Sequence, residues 1–376
     1  MPDHLSADDM LAEIKAQPHN LDRLFTETDH MIRDALTPKQ ILSLHRVFTT
    51  GCGDSHHAPL CSELAFESIA GLPCEPMTAM EMARYAADYI PVPFPDDPLV
   101  VGISVSGSVA RTAEAVAKAR ERGALTLALT GNPAGALARA AERIAQIRLP
   151  ELPKAPGATS FAANLVALYL LAIRLGEVRE RFHQTEANRL RDELRGVLQA
   201  MDATIQAVDA RAAELAQAFQ DEPEFVFTGH GPNYGSALFS AAKIIEASGA
   251  SAWGQNTEEW AHLQYFCKRP QTPTFVIAPP GSGYSRAAEL VPIMKRIGRQ
   301  VIAIVDQGDA QIAPLADAVL PVASPVREAF SPLLYTLAGE LLAAYHSKAT
   351  GEPPFRDFSG AYAPEKKGGN FIYAED

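Results

Sequence analysis

The chain has 376 residues, 47% hydrophobic and 21% charged, which excludes a short peptide, a disordered chain and a collagen-like one, and leaves room for two domains. Against 45 acidic residues there are 33 basic ones, a net charge of −12, so neither nucleic acid nor an anionic membrane is the expected partner and an anionic ligand has to be held locally. No run approaches the roughly 18 apolar residues of a spanning helix, and MPDHLSADDM lacks the basic start and apolar core of a signal peptide, so a cytoplasmic location is expected.

Residues 1–45 read as a helical lead-in. Asp8 and Asp9 precede the amphipathic MLAEIKA, Pro18 is expected to end that helix, and a second runs from Leu21 to Leu36. Val47 to Thr50 is a short β-branched run followed by Gly51-Cys52-Gly53-Asp54-Ser55 and a helical segment to about Ala70. The same strand, glycine turn and helix recur at LVVGIS (Leu99–Ser104) and at ALTLALT (Ala124–Thr130). Short buried strands alternating with helices predict a parallel sheet covered on both faces. A helical zone from Ser160 to Gln220 follows, with Gly176 and Gly196 as expected breaks, after which EFVFTGHGPNYG, TFVIAPPGSGY and QVIAIVDQGD start the cycle again. The predicted organisation is a first α/β domain over 46–200, a second over 201–350, and a polar tail over 351–376.

In such sheets ligands gather at the carboxyl ends of the strands. Ser104-Val105-Ser106-Gly107-Ser108 offers three hydroxyls, a glycine and a helix start, which suits a phosphate; serines that merely cap the helix would give the same pattern. Gly53 and Ser55 sit in the matching turn of the same half. A dinucleotide fingerprint fails, because the third glycine of GxGxxG falls at His56 and again at Tyr234. His56 and His57 beside Asp54 lack a third ligand at metal spacing, and no metal or cofactor is expected. Cys52, Cys61, Cys74 and Cys267 show no CxxC pattern and are expected to be reduced and mostly structural.

Phe239, Lys243 and Glu246 share one face of the helix after Pro232. A solvated salt-bridging face would give this spacing too, but the surrounding AAKIIEASGASAW is apolar enough to bury the pair in part, which would raise the glutamate's pKa and poise it to move protons. Downstream, Glu259 and His262 stand three residues apart.

Together these segments resemble the double sugar isomerase (SIS) domain family, most closely the isomerase half of glucosamine-6-phosphate synthase. GCGDS and SVSGS resemble its GCGTS and SQSGE, GHGPNYGSALFSAAKIIE its GRGxxYxxALExALKLKE, and EEWAH its GELKH; the lead-in MLAEIKAQP resembles its entry helix. The resemblance implies two flavodoxin-like SIS domains, a sugar phosphate held by Ser55, Ser104, Ser106 and Thr159, and proton transfer between C1 and C2 by Glu246 with Lys243 one turn before it. It further implies that His262 serves ring opening across a homodimer interface, with shared active sites. The same Glu and His, sixteen residues apart, are also expected of deglycases acting on phosphorylated fructose-amino acids.

Departures are Asp54 and Val109 where the family has threonines, and Phe239 where it has a glutamate. An ionised Asp54 facing a phosphate would repel it, so it has to point away, bind a sugar hydroxyl or mark a less charged ligand. No lysine stands at the family's tail position in FRDFSGAYAP, which leaves Lys366 or Lys367 only if the tail folds back. The expected activity is isomerisation, deamination or deglycation of a hexose 6-phosphate or an amino derivative. Glutamine-dependent synthesis is not expected, because the chain begins at the helical lead-in; the competing reading is a non-catalytic sugar-phosphate-binding regulator.

Overall fold

The computed structural model describes residues 5–323 and 325–363, and its chain divides into two compact units. One is made of Asn20–Glu151 and Ser160–Arg195; the other contains the chain up to His19, Leu152–Thr159 and Gly196–Ala363. Helix α1 (Ala7–Ala35) contains the point where they divide.

The first unit holds α2 (Pro38–Ser43), β1 (Val47–Gly51), α3 (Asp54–Ala65), β2 (Cys74–Thr78), the single turn α4 (Ala79–Glu81), β3 (Leu99–Ile103), α5 (Ala110–Glu121), β4 (Leu125–Thr130), α6 (Ala136–Ala140) and β5 (Arg143–Gln146). Its five strands are all parallel in the order β2-β1-β3-β4-β5. Most of α7 (Thr159–Val178) and the start of α8 (Gln184–Ala218) complete it. The second unit holds β6 (Glu224–Gly229), α9 (Pro232–Ser248), β7 (Ser251–Asn256), α10 (Thr257–His262), β8 (Pro273–Ala278), α11 (Tyr284–Arg296), β9 (Gln300–Asp306), β10 (Ala318–Val322), α12 (Pro332–Tyr335) and α13 (Leu337–Thr350). Read from its other edge, that sheet has the same parallel order, β7-β6-β8-β9-β10. In both units the first and third strands are neighbours and the strand order reverses between them, which is the switch point where such sheets bind ligands.

The central strands are buried on both faces, so they are the apolar runs that the sequence displays. In the second unit Val226, Val276, Val301 and Val305 pack with Leu290, Val291 and Met294 of α11.

Several expected boundaries are corrected. Pro18 does not end a helix: α1 runs through it, because Met10, Leu11 and Ile14 before it and Leu21, Phe25 and Ile32 after it are all buried, and that burial offsets the backbone hydrogen bond the proline cannot make. Gly176 and Gly196 lie inside α7 and α8, and the break falls at residues 179–183, where Glu180 takes a φ of 57°. A Cβ at Gly176 would come within 2.7 Å of the Phe182 ring and of the Ile69 carbonyl oxygen, so that glycine serves close packing and not a break. By length and composition α7 could cross a membrane, contrary to the expectation that no stretch is apolar enough; 83% of its apolar window is buried within the protein, as suits a core helix.

Candidate active site

In the first unit the turn after β1 is built on glycines. Gly53 sits at φ 56°, ψ −127°, a conformation only glycine adopts without strain, and a Cβ at Gly51 would fall 2.1 Å from the Ser55 carbonyl oxygen. Ser55 enters α3 with its N–H bonded to the Cys52 carbonyl at 3.2 Å. Asp54 lies in the first turn of α3 with its Oδ1 3.7 Å from His57 Nδ1, so its carboxylate is drawn toward its own helix. Burial pushes the pKa of neighbouring His56 down to about 4, which keeps that ring neutral at physiological pH.

The turn after β3 adjoins it, and the Thr112 hydroxyl of α5 reaches the Cys52 sulfur at 3.9 Å. Ser104 is buried, and among the described residues its hydroxyl has no hydrogen-bond partner. Ser106 and Ser108 are exposed and share a hydroxyl hydrogen bond of 2.9 Å. None of the three caps α5, whose N-cap is Val109 without a side-chain bond. Gly107, at φ 65°, leaves room for the Asn132 turn after β4, and Asn132 Nδ2 donates to the Ser106 carbonyl at 3.4 Å. Gly53, Ser55, Ser104, Ser106, Gly107 and Ser108 are thus carried by adjoining turns of one unit, and Asn132 is a support the sequence reading missed.

The second unit repeats the first glycine turn. Gly231 takes φ 50°, ψ −133°, and a Cβ at Gly229 would fall 2.0 Å from the Asn233 carbonyl oxygen. The turn after β8 differs. There the Glu328 carboxylate accepts from the Ser282 N–H at 3.2 Å and from its hydroxyl at 3.4 Å, so a carboxylate of the unit itself occupies that turn.

Thr159, Lys243, Glu246 and His262 all belong to this second unit. Lys243 is fully buried and its ammonium is paired with the Glu246 carboxylate, while the Glu246 side chain keeps 30% of its exposure. Burial therefore falls on the lysine more than on the glutamate. The Phe239 ring lies one turn earlier, 4.9 Å from Lys243 Nζ to its centroid.

Two carboxyls missed in the sequence feel the charge of Lys243. Glu13 of α1 is buried and accepts the Ala158 and Thr159 N–H groups at 3.0 and 2.9 Å; burial raises its pKa against the pull of those two donors and of the Lys243 charge. Glu340 of α13 is fully buried and hydrogen-bonded by Gln17 Nε2; burial pushes it up to about 7, with Gln17 and the Lys243 charge pulling it back. A lone glutamate in the apolar stretch LAGELLAAYH was the available signal for Glu340. The Thr159 N–H is thus committed to Glu13.

His262 ends α10 with 66% of its side chain exposed and shares a 3.2 Å hydrogen bond with Glu258. The Arg286 guanidinium, 2.6 Å away, holds the Glu258 carboxyl below its ordinary range. Lys366 and Lys367 lie outside the described residues.

A model of the SIS domain matches residues 40–174 and 218–344. The glutamine–fructose-6-phosphate aminotransferase (isomerizing) of Gloeobacter violaceus is 30% identical over 348 residues, covering 90% of this chain and 55% of its own length. That of Methanothermobacter thermautotrophicus is 28% identical over 346 residues, covering 92% and 55%. The chain spans about half the length of the curated relatives it matches. Among solved structures, the C-terminal domain of glucosamine-fructose-6-phosphate aminotransferase from Francisella tularensis superposes with a TM-score of 0.79 at 19% identity, over 91% of this chain and 96% of that one. Tagatose-6-phosphate ketose/aldose isomerase from Escherichia coli gives 0.73 at 18% over 94% and 97%, and glucosamine-6-phosphate deaminase from Thermotoga maritima 0.67 at 20% over 92% and 97%. At these identities the superpositions speak for the fold.

Proposed function

The chain belongs to the SIS domain family, and from that membership we propose that it is an enzyme acting on a hexose 6-phosphate or an amino or fructosamine derivative, by isomerisation, deamination or deglycation. The observation that carries the reading is the Lys243–Glu246 pair, with the ammonium wholly buried and the carboxylate partly open. A carboxylate in that setting is suited to take a proton from the carbon next to a carbonyl, leaving the electron pair in an enediol or enamine, and to return it to the adjacent carbon. The first unit's serine turns are assigned the phosphate, supported by the unspent hydroxyl of buried Ser104 and by two serines that do not cap the helix behind them. His262, exposed at the end of α10, suits a residue lent to a neighbouring subunit, and we propose a homodimer with shared sites.

A sugar-phosphate-binding regulator would have a use for the serine turns and none for a buried lysine paired with a glutamate. Glutamine-dependent amination is not assigned to this chain. The test is turnover of a panel of hexose, hexosamine and fructose-amino acid phosphates by the protein and by Glu246→Gln. Turnover of at least one compound, reduced in the variant by about two to four orders of magnitude in kcat with KM little changed, is expected. Turnover by the variant at the wild-type rate rejects the assignment of Glu246, and no turnover across the panel favours the regulator.

A further inference from the structure

The second unit has its own switch point, between the turns that follow β6 and β8, and one carboxylate sits against both. Glu328 accepts the Ser282 N–H with both oxygens at 3.2 Å and the Ser282 hydroxyl at 3.4 Å. Across from it, a Cβ at Gly231 would lie 3.9 Å from Glu328 Oε1, and a Cβ at Gly281 would run into the same carboxylate. Gly231 is the N-cap of α9, and Gly283, next to Ser282, is the N-cap of α11. The carboxylate therefore stands where two helix N-termini converge, whose N–H groups and dipoles favour negative charge.

Glu328 is not a cap that α11 carries for itself. It comes from 46 residues beyond Ser282, and its backbone is tied to α9. Asn233 Nδ2, in the first turn of α9, donates to Ser331 Oγ at 2.7 Å, and that hydroxyl donates to the Glu328 carbonyl at 2.7 Å. Buried Ala329 and Phe330 anchor the same short segment. A second polar group is turned to this place. His230, in the turn after β6, is only 9% exposed, and its ring packs so closely on the α11 cap that a Cβ at Gly283 would lie 2.7 Å from Nε2. Its Nδ1 is held by the Thr257 hydroxyl at 3.1 Å, whereas Nε2 has no hydrogen-bond partner among the described residues. With Thr257 donating to Nδ1, the ring's proton lies on Nε2. Burial pushes the His230 pKa down and the Glu328 charge pulls it up, so the ring and the carboxylate feel each other. A buried donor without an acceptor costs stability, and beside two helix N-termini it suits the oxygen of an anion.

We propose that the second unit's switch point is a second phosphate cradle and that Glu328 is its resident anion: the carboxylate holds the two turns that a phosphate would hold, so a phosphorylated ligand enters this unit only by displacing it. Glu328 is then a specificity residue, which confines the phosphate to the first unit's serine turns although the chain carries two switch points. Only that confinement rests on the proposed function; the cradle does not, and the experiment separates the two.

The experiment is equilibrium dialysis of labelled inorganic phosphate at about pH 7.5 against the whole chain, the Ser104→Ala/Ser106→Ala variant, and that variant with Glu328→Ala added. The serine variant should bind about tenfold or more weakly than the wild type. The triple variant should regain one phosphate per chain, with a Kd about tenfold or more below that of the serine variant. Adding His230→Leu should weaken the regained site about tenfold, since Nε2 is among its donors. A folded triple variant that gains no phosphate overturns the inference, as does a gain that His230→Leu leaves unchanged. Should Glu328→Ala unfold the chain, Glu328→Gln takes its place, keeping the shape and removing the charge. Phosphate should then raise its melting temperature by several degrees more than it raises that of the wild type, and equal shifts overturn the inference. A serine variant that binds phosphate as tightly as the wild type rejects the first unit's assignment, and the second cradle still stands if Glu328→Ala adds one phosphate per chain.

Discussion

The buried carboxyl of Glu340 makes the stability of this protein depend on pH in a defined direction. Its ordinary value is 4.5 and in the folded chain it is pushed up to about 7. Because the folded value is the higher one, the folded state holds the proton more tightly, so the stabilisation is present in full below about pH 4.5 and is lost as the pH rises through about 7. Integrated over that window, the linkage amounts to roughly 3 kcal/mol for a fully buried group. Glu340→Gln keeps the shape and can still accept from Gln17 Nε2, but it removes the titration. The variant should therefore match the wild type near pH 5 and gain on it near pH 8. For a unit of this size each kcal/mol moves the melting temperature by about 2–4 °C, so the expected gain is several degrees. Thermal unfolding followed by circular dichroism at the two pH values measures it. A difference between variant and wild type that is the same at both, or that favours the wild type as the pH rises, would refute the linkage.

Replacing Ser104 and Ser106 together by alanine should weaken binding of a phosphorylated sugar by about 1.5–3 kcal/mol per hydroxyl while leaving its unphosphorylated counterpart nearly unaffected; calorimetric losses equal for both ligands would remove the phosphate from that turn. Gly229→Ala sets a Cβ 2.0 Å from the Asn233 carbonyl oxygen and should lower the melting temperature markedly, whereas Gly196→Ala, with nothing within 4 Å and a helical position, should raise stability by up to about 1 kcal/mol; the reverse order would discredit the packing at the turn. Mixing inactive Glu246→Gln with inactive His262→Ala chains should restore part of the turnover through mixed dimers, and a protein that light scattering shows to be monomeric while it turns over substrate would rule out the shared site.

The residues that the sequence made legible are those whose surroundings are uniform. Val47–Thr50, Leu99–Ile103, Phe225–Phe227 and Val301–Val305 belong to strands covered on both faces, so they have to be apolar runs wherever the chain passes. Gly51, Gly53, Gly229 and Gly231 are dictated by backbone geometry within a few residues, and Lys243 and Glu246 by helical spacing alone. The edge strands Cys74–Thr78, Arg143–Gln146, Ser251–Asn256 and Ala318–Val322 escaped, because one-sided or partial exposure dilutes their pattern and an edge tolerates Pro76 and Pro321. Tertiary structure alone decided that α1 continues through Pro18, since the apolar surface on either side of the proline outweighs the one hydrogen bond it lacks. It also decided the electrostatics around the candidate catalytic pair. Glu13 and Glu340 lie 230 and 97 residues from Lys243 along the chain, and a carboxyl's burial, its hydrogen-bond donors and the charge it feels are set by what folding packs against it, which no local spacing encodes.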